Sequence, residues 1–116
     1  MSESVLNPGD KLHVASRRLF EEDVRRHFVG EVIAYEDGLT EMRGHTFLHD
    51  PNTNEYKRLP EARTRIFGLA TAGYTTNKLP RTANLDSVVY VAVDGHLVVT
   101  DNDTFVLPIN EFGPRS

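Results

Sequence analysis

The chain contains no cysteine. That absence excludes disulfides, iron–sulfur clusters, thiolate zinc sites and cysteine nucleophiles. The sequence also lacks any run of about 18 apolar residues, the length that predicts a membrane-spanning helix. Its start, MSESVLNPGDKLHVAS, does not have the basic-then-apolar order of a signal peptide. We therefore predict a cytoplasmic protein with no membrane partner.

The sequence signatures of several enzyme classes are absent as well. There is no GxSxG nucleophile elbow, no phosphate-binding P-loop and no Rossmann glycine pattern. The segment GLATAGYTTN is rich in glycine and threonine, but its spacing matches none of these motifs. We predict no cofactor, and the missing motifs favour a non-catalytic protein.

Excess positive charge is lacking too, because the formal net charge is −4. This balance argues against indiscriminate attraction to nucleic acid or anionic lipid. The 116 residues are 39% hydrophobic and 26% charged, which is typical of a globular domain. We predict a single β-rich domain over residues 1–116, with residues 1–10 as a flexible N-terminal segment.

The strongest pattern is RRHFVGEVIAYEDGLTEMRGHTFLHD, two β-rich runs joined by Asp37-Gly38. Asp-Gly suits a two-residue hairpin turn because both central positions need positive φ. An unbroken ladder from this turn gives four opposite pairs: Glu36 with Leu39, Val32 with Arg43, Gly30 with His45, and Arg26 with His49. One face is then predicted to turn towards the core, with Val29, Ile33, Tyr35, Met42, Leu48, His27 and Glu31.

The rest of the chain also favours strands. SRRLFEEDVRRHF fits a strand better than a short helix, and SVVYVAVDGHLVVTDNDTFVLPI predicts a three-stranded meander. Candidate core residues in the meander are Val89, Val91, Val93, Leu97, Val99, Phe105 and Leu107. The runs give seven to nine short strands. We predict an all-β fold, a single small antiparallel β-barrel or alternatively a two-sheet β-sandwich, since either limits exposed edges.

The second face of the hairpin contains the residues predicted to bind a ligand or partner: Arg26, Phe28, Arg43, His45, Phe47 and His49. His45 and His49 are the alternative metal ligands. On a strand, however, they stand about 13 Å apart, whereas imidazole nitrogens bind zinc at about 2 Å. We therefore predict no metal site unless a bulge at Gly44 bends the strand.

His27 and Glu31 are the candidate catalytic residues because they share the predicted core face, four positions apart. Burial among apolar side chains would perturb such groups and suit them for acid–base chemistry. A structural hydrogen bond is the other interpretation of the pair.

Three functional hypotheses follow. The leading one is a non-catalytic binding or accessory module that recognises a small ligand or a protein partner. The alternative is a His-dependent metal or acid–base enzyme, and the third is single-stranded nucleic-acid binding. Acidic residues are interspersed with the basic ones, which favours ion pairs over a nucleic-acid surface.

A homodimer is predicted if a second copy covers an unpaired strand edge or the apolar part of the outer hairpin face.

Overall fold

The computed structural model describes residues 5–16, 25–69 and 73–109. Most of these residues form strands, and the all-β prediction is confirmed. Residues 17–24, the centre of the segment SRRLFEEDVRRHF for which a strand was predicted, lie outside the described residues. The strands are β1 (Lys11–Ser16), β2 (Arg26–Glu36), β3 (Leu39–Asp50), β4 (Glu55–Arg58), β5 (Arg63–Phe67), β6 (Tyr74–Leu79), β7 (Val89–Val93), β8 (His96–Thr100) and β9 (Val106–Pro108). A short 3-10 turn, Leu85–Ser87, precedes β7. In this part of the chain, no helix has the length and apolar character needed to cross a membrane.

The strands pair into two antiparallel sheets. The large sheet has the order β4-β3-β2-β1-β6, and β5 also pairs with β3. β5 pairs with positions 40–44 of β3 and β4 with positions 47–50, so the two short strands share one edge of β3. The small sheet is the β7-β8-β9 meander, as predicted. Among the described strands, no pairing closes either sheet into a ring.

Two Asp-Gly turns set the hairpins. Asp37 and Gly38 have φ of 53° and 80°, and Asp94 and Gly95 have φ of 53° and 81°. Positive φ at both central residues matches the right-handed twist of the adjoining strands. The predicted turn between β2 and β3 is therefore confirmed.

A β-bulge changes the register of this hairpin. Glu36 pairs with Leu39 as predicted, but the ladder shifts by one residue between Val32 and Ala34. The observed pairs beyond the shift are Val32 with Met42, Gly30 with Gly44, and Arg26 with Leu48. Three of the four predicted pairs are therefore wrong. Successive side chains of a strand point to opposite faces of the sheet. The one-residue shift therefore places each β2 side chain beyond the bulge on the same face as a different set of β3 side chains from the one predicted.

The large sheet curls around one of its faces, here called the inner face. β5 and β6 are separated by three strands, a distance of about 19 Å in a flat sheet. Yet the rings of Phe67 on β5 and Tyr74 on β6 have centroids 5.4 Å apart. The inner face encloses the first core cluster, which contains Leu6, Leu12, Val14, Phe28, Val32, Met42 and Phe67.

The opposite, outer face of the large sheet is covered by the small sheet. Val29, Phe47, Tyr56 and Leu79 of the large sheet pack there against Val99 and the segment that precedes β7. Both faces of the hairpin are therefore buried over part of their length. Ile33 and Tyr35, which were predicted to face the core, are 44% and 37% exposed.

In the meander, the prediction of core residues is only partly correct. Val99 is fully buried, and Leu97, Phe105 and Leu107 are half-buried. Val89, Val91 and Val93 were also predicted to lie in the core, but they are 39%, 37% and 48% exposed. The intervening Tyr90 turns towards the large sheet instead and packs against the second core cluster.

Residues 5–10 contact the large sheet. Leu6 packs in the first core cluster, and the Gly9 amide donates to the carbonyl of Val32 at 2.9 Å. Asp10 is 6% exposed and forms ion pairs with Arg81 and Lys78. These contacts cover the end of the inner face that lies beside Val32.

Candidate functional site

A pocket opens on the inner face at the end opposite to residues 5–10. Its volume is about 670 Å³, and residues of β1, β2, β3, β5 and β6 line it. Binding sites for small molecules have volumes of this order and are usually formed before the ligand arrives. The curl of the large sheet creates the pocket because it brings β5 and β6 over the side chains of β2 and β3.

Aromatic rings form the floor of the pocket. The centroids of Phe28 and Phe67 are 5.3 Å apart, and Phe67 meets Tyr74 edge to face. Phe28 and Phe67 are only 4% and 8% exposed because they also belong to the first core cluster. This floor is held by the packing of the core beneath it, and Leu48 and Leu59 add apolar surface around it.

The charges at the pocket are positive. Arg26 on β2 and Arg65 on β5 line it, and both are exposed. Neither side chain has a hydrogen bond or an ion pair with any residue in the described ranges. The described lining includes no aspartate or glutamate, while Ser16 and Thr46 contribute hydroxyl groups.

The bulge separates the residues that were predicted to form one binding surface. Arg26 and Phe28 lie at the pocket. Arg43, His45, Phe47 and His49 belong to the outer face of the sheet, because Val29 pairs with His45 and His27 with Phe47. The prediction that all six residues share a face is wrong, and the one-residue shift at Ile33 is the physical reason.

His45 and His49 each have their own surroundings on the outer face. The ring of His49 lies tilted against Tyr56 with the centroids 5.0 Å apart, and its Nε2 donates to the Asn54 side-chain carbonyl at 2.9 Å. Burial lowers the pKa of His45, and the positive charges of Arg58 and Arg43 act in the same direction. In the described ranges, no three His, Asp or Glu side chains come together as metal ligands.

The structure does not bring His27 and Glu31 together as a catalytic pair. His27 is fully buried beneath the small sheet, whereas Glu31 is exposed. A hydrogen bond of 2.9 Å joins His27 Nδ1 to His13 Nε2, and the Tyr90 hydroxyl lies 2.7 Å from the same Nδ1. The Asn77 amide donates to His13 Nδ1 at 3.3 Å.

This His13–His27–Tyr90 cluster was not predicted. Its members come from β1, β2 and β7, so no local spacing in the sequence relates them. Tyr90 also stacks on Tyr56 with centroids 4.4 Å apart and an angle of 18° between the rings. The imidazoles of His13 and His27 are 3% and 0% exposed, so the cluster joins the two sheets by polar and aromatic contacts and presents no ring to a substrate.

Comparison with known proteins gave no match: no family model, no curated protein and no solved structure is similar to this chain.

Proposed function

We propose that this protein is a non-catalytic binding module that takes a small ligand into the pocket on the inner face of the large sheet. The observation that carries the proposal is the pocket of about 670 Å³ above the Phe28–Phe67 floor. Because the floor is part of the core, the ligand meets a preformed surface. A preformed site costs less conformational entropy on binding.

The alternative functions receive less support. An acid–base enzyme needs a titrating group that reaches its substrate, and His13 and His27 are enclosed between the sheets. Single-stranded nucleic acid is held by aromatic rings on which bases stack. Phe47 and Tyr56 are each less than 9% exposed and are covered by the small sheet, so neither ring has a free face on which a base could stack. These arrangements favour binding of a small molecule.

The proposal is tested by a fragment screen that observes the amide signals of the isotopically labelled protein. We expect apolar and amphipathic fragments to shift the signals of Phe28, Thr46 and Phe67. Leu48→Trp should fill the pocket and abolish these shifts.

Leu39→Trp is the matched control, because Leu39 is 53% exposed at the hairpin turn and does not line the pocket. This variant should respond as the wild type does. A screen in which no fragment perturbs the pocket signals would overturn the proposal, as would fragments that shift only residues of the outer face.

A further inference from the structure

We propose that the ligand of the pocket is an amphipathic anion, with an apolar body on the Phe28–Phe67 floor and a carboxylate paired with Arg26 or Arg65. This inference rests on the proposed function and adds the chemical class of the ligand to it. Three features of the pocket carry it: guanidinium groups with no partner among the described residues, the absence of acidic groups in the described lining, and the apolar floor.

The guanidinium groups are the first feature. Arginine side chains at a protein surface commonly pair with carboxylates, and Arg63 on the same strand pairs with Glu61 at 3.1 Å. Arg26 and Arg65 have no such partner among the described residues. Their two-pronged donor geometry matches a carboxylate, and hydrogen bonds between ionised groups are about twice as strong as neutral ones.

The position of the two arginines is informative as well. β2 and β5 lie on opposite edges of β3, so Arg26 and Arg65 approach the pocket from two sides. The chain as a whole has a net charge of −4. The positive charge at the pocket is therefore a local feature, opposite in sign to the net charge of the chain. An anion would be attracted to the pocket and not to the protein surface as a whole.

The third feature is the apolar lining, which favours a ligand with an apolar body over a purely ionic one. Phe28 and Phe67 form the floor, and Leu48 and Leu59 extend it towards the rim. A small inorganic anion would leave the exposed parts of Leu48 and Leu59 in contact with water, whereas an apolar body would bury them. A molecule with one acidic group and an aliphatic or aromatic body satisfies both parts of the pocket.

The test compares two probes with the same apolar body, decanoate below its micelle concentration and decanol below its solubility limit. Binding to the full chain is measured by calorimetry and by the amide signals of the pocket. We expect decanoate to bind at least about tenfold more tightly than decanol, because its carboxylate accepts charge-assisted hydrogen bonds from a guanidinium group and the hydroxyl of decanol is uncharged. Raising the ionic strength should reduce this preference.

The double variant Arg26→Ala/Arg65→Ala should remove the preference for decanoate and leave the affinity for decanol unchanged. Each single variant then identifies the arginine that holds the acidic group. Arg43→Ala is the charge-matched control, since Arg43 is exposed on the outer face of the same sheet and should not affect either probe. All three substituted side chains are exposed, so circular dichroism should show an unchanged fold.

The outcomes separate the two proposals. Equal affinity for both probes, or a preference that survives the double variant, overturns the anionic ligand and leaves a binding pocket. No binding of either probe, together with an empty fragment screen, overturns the binding function itself. Binding of decanoate only to sites on the outer face contradicts the inference even if the affinities differ.

Discussion

At the scale of single residues, several buried polar groups connect elements that are distant in the sequence. Asp101 is 3% exposed and lies just after β8. Its carboxylate accepts hydrogen bonds from the Thr104 hydroxyl and from the amides of Asn84, Asp103 and Thr104, at 2.6–2.9 Å. The group therefore ties the β8–β9 turn to the segment before β7. The His13–His27–Tyr90 cluster has the same role between the two sheets.

The pH dependence of stability should reflect Asp101. Burial acts to raise its pKa, but the hydrogen bonds from Thr104, Asn84 and Asp103 outweigh it and hold the pKa well below the ordinary value. A carboxyl with a depressed folded-state pKa stabilises the protein above its unfolded-state pKa of about 3.9, and this contribution disappears as the pH falls below that value. We expect thermal unfolding temperatures of the wild type to fall steeply below about pH 4.

Asp101→Asn should lower the unfolding temperature at pH 7 and flatten its dependence on pH in the acid range. Asp94→Asn is the control, because Asp94 lies in an exposed turn and no such set of donors surrounds it in the described part of the chain. If Asp101→Asn and the wild type lose stability in parallel between pH 5 and pH 2.5, Asp101 is not the group responsible.

At the scale of elements, the β2–β3 hairpin sets both the core and the pocket. The bulge at Ile33 places Phe28 on the inner face together with Met42 and Thr46, and it leaves His27 and Phe47 on the outer face. Gly30 and Gly44 are directly opposite each other on the inner face. A Cβ at Gly44 would overlap the Val29 carbonyl and the Gly30 Cα. The close approach of the β2 and β3 backbones at this pair therefore requires glycine at position 44.

Gly44→Ala should destabilise the protein by about 1–3 kcal/mol, the usual cost of overfilling a packed site. The overlapping atoms belong to the backbone, so no side-chain rotation relieves the contact. Urea denaturation measures the loss, with Arg43→Ala as the exposed neighbour that should change stability by less than about 0.5 kcal/mol. Equal stability of Gly44→Ala and the wild type would show that the two strands can separate at this point without cost.

At the scale of the whole molecule, the small sheet presents apolar side chains on the side away from the large sheet. Val89, Val91 and Val93 point there from β7, and Val106 on β9 is 66% exposed. Among the described strands, β7 pairs only with β8, so it is an edge strand of the small sheet. An apolar strand at a sheet edge readily pairs with another strand. The predicted homodimer would bury this surface by joining β7 of two copies.

We expect light scattering coupled to size-exclusion chromatography to show twice the monomer mass at high protein concentration. Val91→Lys should return the protein to a monomer, because a charge at the centre of the joined strands would have no partner. Glu55→Lys on β4 is the control for added positive charge, and it should leave the mass unchanged. A wild type that stays monomeric at every concentration would contradict the predicted dimer.

Local signals in the sequence were sufficient to predict the strands and the hairpin turns. Asp37-Gly38 and Asp94-Gly95 specify their turns because the required φ values depend only on those residues. The runs around them predict strands because alternation of apolar and polar residues is also a local pattern. The meander follows from the short connections between its strands. Arg26 and Phe28 were predicted to bind a ligand or partner; both line the pocket, and their role in binding stays a prediction.

Only the tertiary structure decided the register and the faces. An extra residue at Ile33 is accommodated because it buries Val32 and Met42 together and brings Gly30 opposite Gly44. No local pattern in the sequence predicts which of two registers buries more side chains between paired strands. The same holds for β7, where Tyr90 rather than the valines turns inward because Tyr56 and His27 lie beneath it. The sequence by itself determined where strands begin and turn, whereas long-range packing determined which side chains meet in the core and at the pocket.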